Sequence, residues 1–209
     1  DHRFDLLGSS PIVVKHGATC LGLEKCSFPT EPDISSDGEG LWLKGRINSA
    51  NLIESQNLWS QISKGYQPID WHLDFKSGYR WSESTWYRNI EYGHLPGVDI
   101  KVPWELSRMQ HLPQLAWAAS LSREGDDRFK HSDVYLKEFQ NQVLDFIATN
   151  PPRFGVNWVC PMDVGIRLVN WLVARDLFLA QGFSFDPEFE TILASSIVDH
   201  ARHILGNLE

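Results

Sequence analysis

The run PMDVGIRLVNWLVARDLFLAQG, Pro161 to Gly182, decides how the rest of the chain is read. Proline opens it where a missing N–H costs a helix little, and glycine closes it at a position suited to a left-handed cap. Between them Val, Ile, Leu and Trp cover most sides, so the pattern predicts a helix over Pro161–Gln181. Asp163, Arg167 and Asn170 fall at i, i+4 and i+7 and form one narrow polar strip on that cylinder. A helix that is apolar on most sides is central in its fold, so the strip faces either buried partners or an internal, water-filled cleft. Pairing of Asp163 with Arg167 and a cleft-lining role are compatible, and both stay open.

Three further helical segments flank this one. Ser132–Thr149 stacks Leu136, Phe139, Val143, Phe146 and Ile147 at spacings of three or four, and Asn150-Pro151-Pro152 stops it. A last helix, capped by Ser184 or Asp186, lines Phe189, Ile192, Leu193, Ile197 and Ile204 along one side. Val102–Ser122 opens with Pro103 and carries Leu112, Leu115, Ala116 and Ala119. Pro113 cannot donate to the carbonyl of Met109, which predicts a kink or break just after His111. Long helices with short connections make antiparallel hairpins, so the fold class expected is all-α, an α-hairpin array. Such an array buries each hairpin against its neighbours, and the helical pattern runs close to Glu209, so a truncated piece of a longer chain is expected.

Residues 1–100 read differently. Gly8, Pro11, Gly17, Gly22, Pro29, Pro32, Gly38, Gly40 and Gly45 interrupt any long periodicity, and the segment is expected to be irregular while belonging to the same domain as the hairpins of 101–209. Two short helices are predicted within it. Asn48–Ile62 aligns Leu52, Gln56, Trp59 and Ile62 behind an Asn48 or Ser49 cap; Ser82–Tyr92 has Ser82 as cap, Trp86 and Ile90 on one face, and Gly93 as terminator.

With 209 residues, 42% hydrophobic and 22% charged, the chain can bury a sizeable core, and collagen, a disordered chain and a coiled-coil rod are excluded. Nine Trp beside eleven Phe and five Tyr suit both apolar cores and sugar-binding grooves. A formal charge of −8 lacks the basic stripe that a phosphate backbone requires, so no nucleic-acid partner is expected. A local cluster of Arg, His and Asn still suits an anionic polysaccharide. No run of eighteen apolar residues appears, so no membrane insertion is expected. Cys20, Cys26 and Cys160 lack zinc-finger spacing and read as buried thiols, with a Cys20–Cys26 bridge as the rival reading. His200 and His203 sit three apart with no third ligand evident, so no metal site and no cofactor is assigned. The sequence contains no GxSxG, Walker A, GxGxxG or HExxH pattern.

Three stretches concentrate polar and aromatic groups. Asp70 through Trp81 (DWHLDFKSGYRW) is either a capping loop that packs its two Trp on the helices or part of a site. In Trp104-Glu105-Leu106-Ser107-Arg108-Met109-Gln110-His111, a continuous helix puts Glu105 with Arg108, and Trp104, Ser107 and His111 in one row. Gly155-Val156-Asn157-Trp158 leads into the polar strip of Asp163, Arg167 and Asn170.

These motifs, with Phe4-Asp5-Leu6-Leu7-Gly8, Asn150-Pro151-Pro152, His111-Leu112 and Asn170-Trp171, resemble the N-terminal domain of the heparinase II/III-like polysaccharide lyases over nearly the whole chain. The resemblance implies an incomplete (α/α) toroid of antiparallel hairpins, normally followed by a C-terminal β-sandwich domain that this chain lacks. It implies an acidic polysaccharide as partner, heparan-sulfate-like or alginate-like, cleaved by β-elimination at a uronic acid. There the C6 carboxylate must be neutralised before a Tyr or His removes the C5 proton. Leu205-Gly206-Asn207-Leu208-Glu209 looks like the segment just before the family's Asn-His-Tyr-like motif, so the catalytic groups are expected beyond Glu209 and none in this chain. Asn157, Trp158, Arg108, Glu105, His111 and Arg167 are then expected to bind substrate. The parent would be a carbon–oxygen lyase, periplasmic or secreted, with the cytoplasm left open. Two other readings stand beside it: a non-catalytic glycan-binding or polysaccharide-assembly protein, and a glycoside hydrolase on a helical toroid with Glu105 and Asp163 as acid and base.

Overall fold

The computed structural model describes residues 2–22, 26–29 and 32–208. It is all-α: six α-helices carry the chain, and a two-stranded ribbon, β1 (Arg3–Phe4) against β2 (Ile12–Val13), is the sheet among the described residues. The helices are α1 (Leu52–Trp59), α2 (Lys101–Ser107), α3 (Leu112–Arg123), α4 (Ser132–Thr149), α5 (Pro161–Ala180) and α6 (Pro187–Leu205). Two compact units emerge, Asp1–Ser107 with Asp145–Cys160, and Arg108–Leu144 with Pro161–Glu209.

The first unit is built from loops around aromatic anchors. Trp59, Leu43, Ile47 and Ala148 form one buried cluster, flanked by Trp42, Leu52, Leu58, Ile62 and Tyr66. Trp81, Ile90, Ile100 and Val156 form another, flanked by Tyr79, Val98, Trp104 and Val159. Helix α1 lies inside the expected Asn48–Ile62 span, and Asn48 accepts from the N–H of Asn51.

The helix expected over Ser82–Tyr92 does not form. Only a 3-10 turn, Tyr87–Asn89, appears there. The cause is long-range: Tyr87 donates to the carbonyl of Arg153, Thr85 accepts from Gly155, and Trp86 bridges to Phe154. Backbone groups spent on a distant strand-like partner are not available for an i to i−4 ladder.

The second unit is helical. Helix α3 packs along α5, and α5 along α6. Phe139 of α4 lies among the rings of Phe178, Phe185 and Phe189, with centroids 5.4, 5.5 and 6.0 Å away. Helix α4 keeps the bounds expected for it. At the end of α5, Gly182 is left-handed (φ 78), its N–H reaches Leu179, and Phe183 N–H reaches Phe178. The Phe178 and Phe183 rings meet at 5.5 Å, completing a Schellman cap with its hydrophobic contact. Asp186 caps α6 by accepting from Phe189 N–H at 2.8 Å. The buried face of α6 is more polar than its apolar row suggested. Ser196, His200 and His203 are buried with Phe189 and Leu193, while Ile192, Ile197 and Ile204 are half-exposed.

The predicted break between α2 and α3 is present, but it precedes His111: α2 stops at Ser107 and α3 starts at Leu112. Pro113 therefore sits in the first turn of a new helix, where it lacks nothing. Ending α2 at Ser107 also interrupts the continuous row expected from Trp104 through Ser107 to His111. The three cysteines are free thiols and half-buried, which corrects both the fully buried reading and the Cys20–Cys26 bridge. Burial, with Asp74 and Asp70 nearby, pushes the Cys20 thiol up to about 11. Among the described residues no helix is long and apolar enough to cross a membrane. Glu209, which closes the segment expected to precede the catalytic motif, lies outside the described residues.

Candidate functional site

The joint that leads from Arg108 to Leu112 is held by side chains of the second unit. Met109 is fully buried and left-handed, φ 53, a conformation that costs a non-glycine residue energy and persists only where its surroundings fix it. The fixing groups come from α5. Asn170 Nδ2 donates to the carbonyl of Arg108 at 2.8 Å, and Trp171 Nε1 donates to the Met109 sulfur at 2.9 Å.

The same joint presents two polar heads that are only half-buried, Arg108 and His111. Each is tied to a buried partner on a helix. Arg108 Nε bonds Asp163 Oδ1 at 2.5 Å, and Asp163 is 1% exposed. His111 Nε2 meets Gln142 Oε1 of α4 at 2.5 Å, and Gln142 Nε2 donates to Glu138 Oε1 at 2.6 Å. A half-exposed cation and imidazole, each held by a buried carboxylate or amide, are oriented so that they could make an ionic contact and a hydrogen bond.

The strip on α5 thus faces the joint, and its pairing differs from the expected one. Asp163 hydrogen-bonds Arg108, whereas Arg167 donates through Nε to His200 Nε2 at 3.0 Å. Burial lowers the Arg167 guanidinium to about 9, with the charge of Asp163 opposing the fall. His200 donates from Nδ1 to the carbonyl of Ser196 at 2.7 Å and so stays neutral, held well below its ordinary range by burial and by Arg167. Arg167 is fully buried. Among the described residues no cluster of three His, Cys, Asp or Glu side chains has the arrangement of a metal site.

In the first unit the remaining expected residues are mostly interior. Asn157 is 1% exposed and donates through Nδ2 to the carbonyl of Trp71 at 2.9 Å and to Asn150 Oδ1 at 2.8 Å. Trp158 is equally buried, its Nε1 donating to the carbonyl of Asn150 at 3.1 Å. These bonds lock the turn that follows Asn150-Pro151-Pro152 and place both side chains, expected to bind substrate, in the interior of the first unit. Glu105 is half-buried on α2, beside Trp104, whose indole donates to the Val156 carbonyl at 2.9 Å.

The Asp70–Trp81 stretch resolves into architecture. Arg80 forks between Asp70 (2.9 and 3.1 Å) and Glu83 (2.7 and 3.0 Å), Arg46 adds a contact to Glu83 at 3.4 Å, and His16 approaches Asp70 at 3.4 Å. Burial opposes ionisation of Asp70 and Glu83, yet Arg80 holds both below the usual carboxylate range. Asp74 collects Ser77 Oγ and the N–H groups of Lys76, Ser77 and Asp99. A surface cleft of about 270 Å³ in this unit, bordered by Asp37, Trp59, Ile62, Lys64, Tyr66 and Gln67 among others, contains none of the six expected substrate residues.

Sequence reasoning missed Gln142 and Glu138. Their i, i+4 spacing on α4, away from the row Leu136, Phe139, Val143, was the available signal.

The family model for the heparinase II/III N-terminus matches residues 45–209. No curated protein and no solved structure matches. The matched span takes in Arg46, the Asp70–Trp81 network, the joint with Arg108 and His111, the turn at Asn157 and all of α2 to α6, so the chain belongs to the heparinase II/III N-terminal family and is related to polysaccharide lyases.

Proposed function

We propose that this chain is the substrate-gripping N-terminal part of a polysaccharide lyase that acts by β-elimination on a uronic-acid-containing polysaccharide, heparan-sulfate-like or alginate-like, outside the cytoplasm. The observation that carries the reading is the joint of the second unit. In a chain of net charge −8, Arg108 is a half-exposed cation whose orientation is fixed by a buried carboxylate, beside a half-exposed His111. Elimination needs the uronate carboxylate gripped and its charge compensated before the C5 proton can leave, and a fixed guanidinium suits that grip. Proton transfer itself is assigned to groups outside the described residues, with a C-terminal domain of the same polypeptide completing the site. Arg167 supports the fold of the second unit, which carries the binding groups, while Asn157 and Trp158 support the fold of the first.

The test is titration of the chain with uronate oligosaccharides by calorimetry. Binding is expected to weaken as salt is raised, because the attraction comes from a few local cations on an acidic protein. Arg108→Ala should lower affinity on the order of tenfold. Asp163 is buried, so losing this guanidinium should also cost roughly 3 kcal/mol, with the nearby charge of Arg167 offsetting part of it, and affinity is compared where melts show the variant folded. Equal affinity for a neutral glucan, or unchanged affinity in Arg108→Ala, would remove the reading. In the complete enzyme the ultraviolet absorbance of an unsaturated uronate product separates elimination from hydrolysis.

A further inference from the structure

The second unit holds two hydrogen-bonded histidines whose partners dictate opposite tautomers. His200 is buried and uses both nitrogens on the chain: Nδ1–H donates to the Ser196 carbonyl, and Nε2 accepts from Arg167. His111 is half-exposed, and its tautomer follows from a chain of forced roles.

That chain begins at Glu138. A carboxylate oxygen can only accept, so the group 2.6 Å from Glu138 Oε1 is the amide N–H of Gln142. The amide is planar, which turns Gln142 Oε1 the other way, to within 2.5 Å of His111 Nε2. An amide oxygen also only accepts, so Nε2 carries the hydrogen. Gln142 is 4% exposed, so water offers its amide little competing partnership.

We infer that Glu138 and Gln142 are positioning residues that hold neutral His111 as its Nε2–H tautomer, leaving Nδ1 as the nitrogen that accepts a proton or a hydrogen bond at the joint. Its functional meaning rests on the saccharide reading above. There, Arg108 takes the carboxylate or sulfate of an anionic sugar while the acceptor nitrogen of His111 suits a hydroxyl of the same ring rather than the anion. The preferred ligand is then a sugar unit carrying both groups, and a ligand with two anions and no hydroxyl at that spacing fits worse.

Nitrogen-15 NMR of the imidazole, through long-range proton correlations at a pH where His111 is neutral, reads the tautomer on the unmodified chain. The expected result is a protonated Nε2 and an unprotonated Nδ1. Glu138→Gln replaces an acceptor-only group with an amide that also donates, so Gln142 can turn over and the preference should be lost to a mixture. Gln142→Glu supplies an acceptor directly and should keep the Nε2–H form. An Nδ1–H ring in the wild-type chain, or a preference unmoved in Glu138→Gln while thermal melts show an intact fold, overturns the inference. Addition of uronate oligosaccharide separates the two readings: an Nε2–H ring whose Nδ1 signal ignores the sugar leaves the positioning intact and counts against the saccharide contact alone.

Discussion

The two units each join arginine to carboxylate, and they do so in different surroundings. In the first, Arg80 lies between Asp70 and Glu83 with Arg46 behind, and the carboxylates are almost entirely out of water. In the second, Arg108 keeps part of its head in solvent while Asp163 anchors it from beneath. The densest polar motif of the sequence is therefore structural, and the sparser one carries the candidate site. Density of charge reports how much must be compensated inside; a fixed charge that still reaches water reports what can meet a ligand.

The largest effect expected from this contrast is at Arg80. Arg80→Ala leaves two buried carboxylates, Glu83 with Arg46 at 3.4 Å and Asp70 with His16 at 3.4 Å, and should cost roughly 3 to 5 kcal/mol in denaturant melts. A loss below about 1 kcal/mol would mean the network is solvated and the contrast false. Arg167→Ala comes next, at about 2 to 4 kcal/mol, because it opens a cavity and removes a bond to His200 while Asp163 keeps Arg108.

Acid sharpens the same comparison. Burial pushes His72 to about 4, against partial opposition from Glu83, so the folded first unit holds it neutral. Between the ordinary value of 6.5 and about 4 the unfolded chain takes up a proton that the folded chain refuses. Stability should accordingly fall as pH drops through that window, by roughly 2 to 3 kcal/mol, with His16 and His200 adding in the same direction. The contributions of Asp70 and Glu83 are lost only at lower pH, because their folded pKa values are depressed. Melts of His72→Gln across this range should show a shallower slope; an identical slope would assign the acid response elsewhere.

Asn157→Ala should cost about 1 to 3 kcal/mol, the expense of stranding the Trp71 carbonyl and Asn150 Oδ1 inside the first unit. A stable Asn157→Ala chain with weakened oligosaccharide binding would return this residue to the surface role first expected of it.

How much of this was legible beforehand follows from where each signal resides. Helix α4, the caps of α5 and α6, and a helix start at Pro113 are local features, written in periodicity, proline, glycine and Asp186. The missing helix at Ser82–Tyr92 was illegible because its backbone partners, Arg153 and Gly155, are far along the chain. The strip Asp163, Arg167, Asn170 was visible as a strip, but which arginine met Asp163 depended on the left-handed turn at Met109, which no local pattern announces. Asn157 and Trp158 attracted attention as polar and aromatic loop residues; burial around Asn150 is a tertiary fact.

The most direct test of the central claim is an NMR map of the shifts that a uronate oligosaccharide produces on the whole chain. Perturbations should centre on Arg108, His111 and their neighbours at the joint, leaving the side-chain signals of Arg80 and Arg46 in place. Shifts concentrated on Arg80, Arg46 and the Asp70–Trp81 stretch, with the joint silent, would contradict the account.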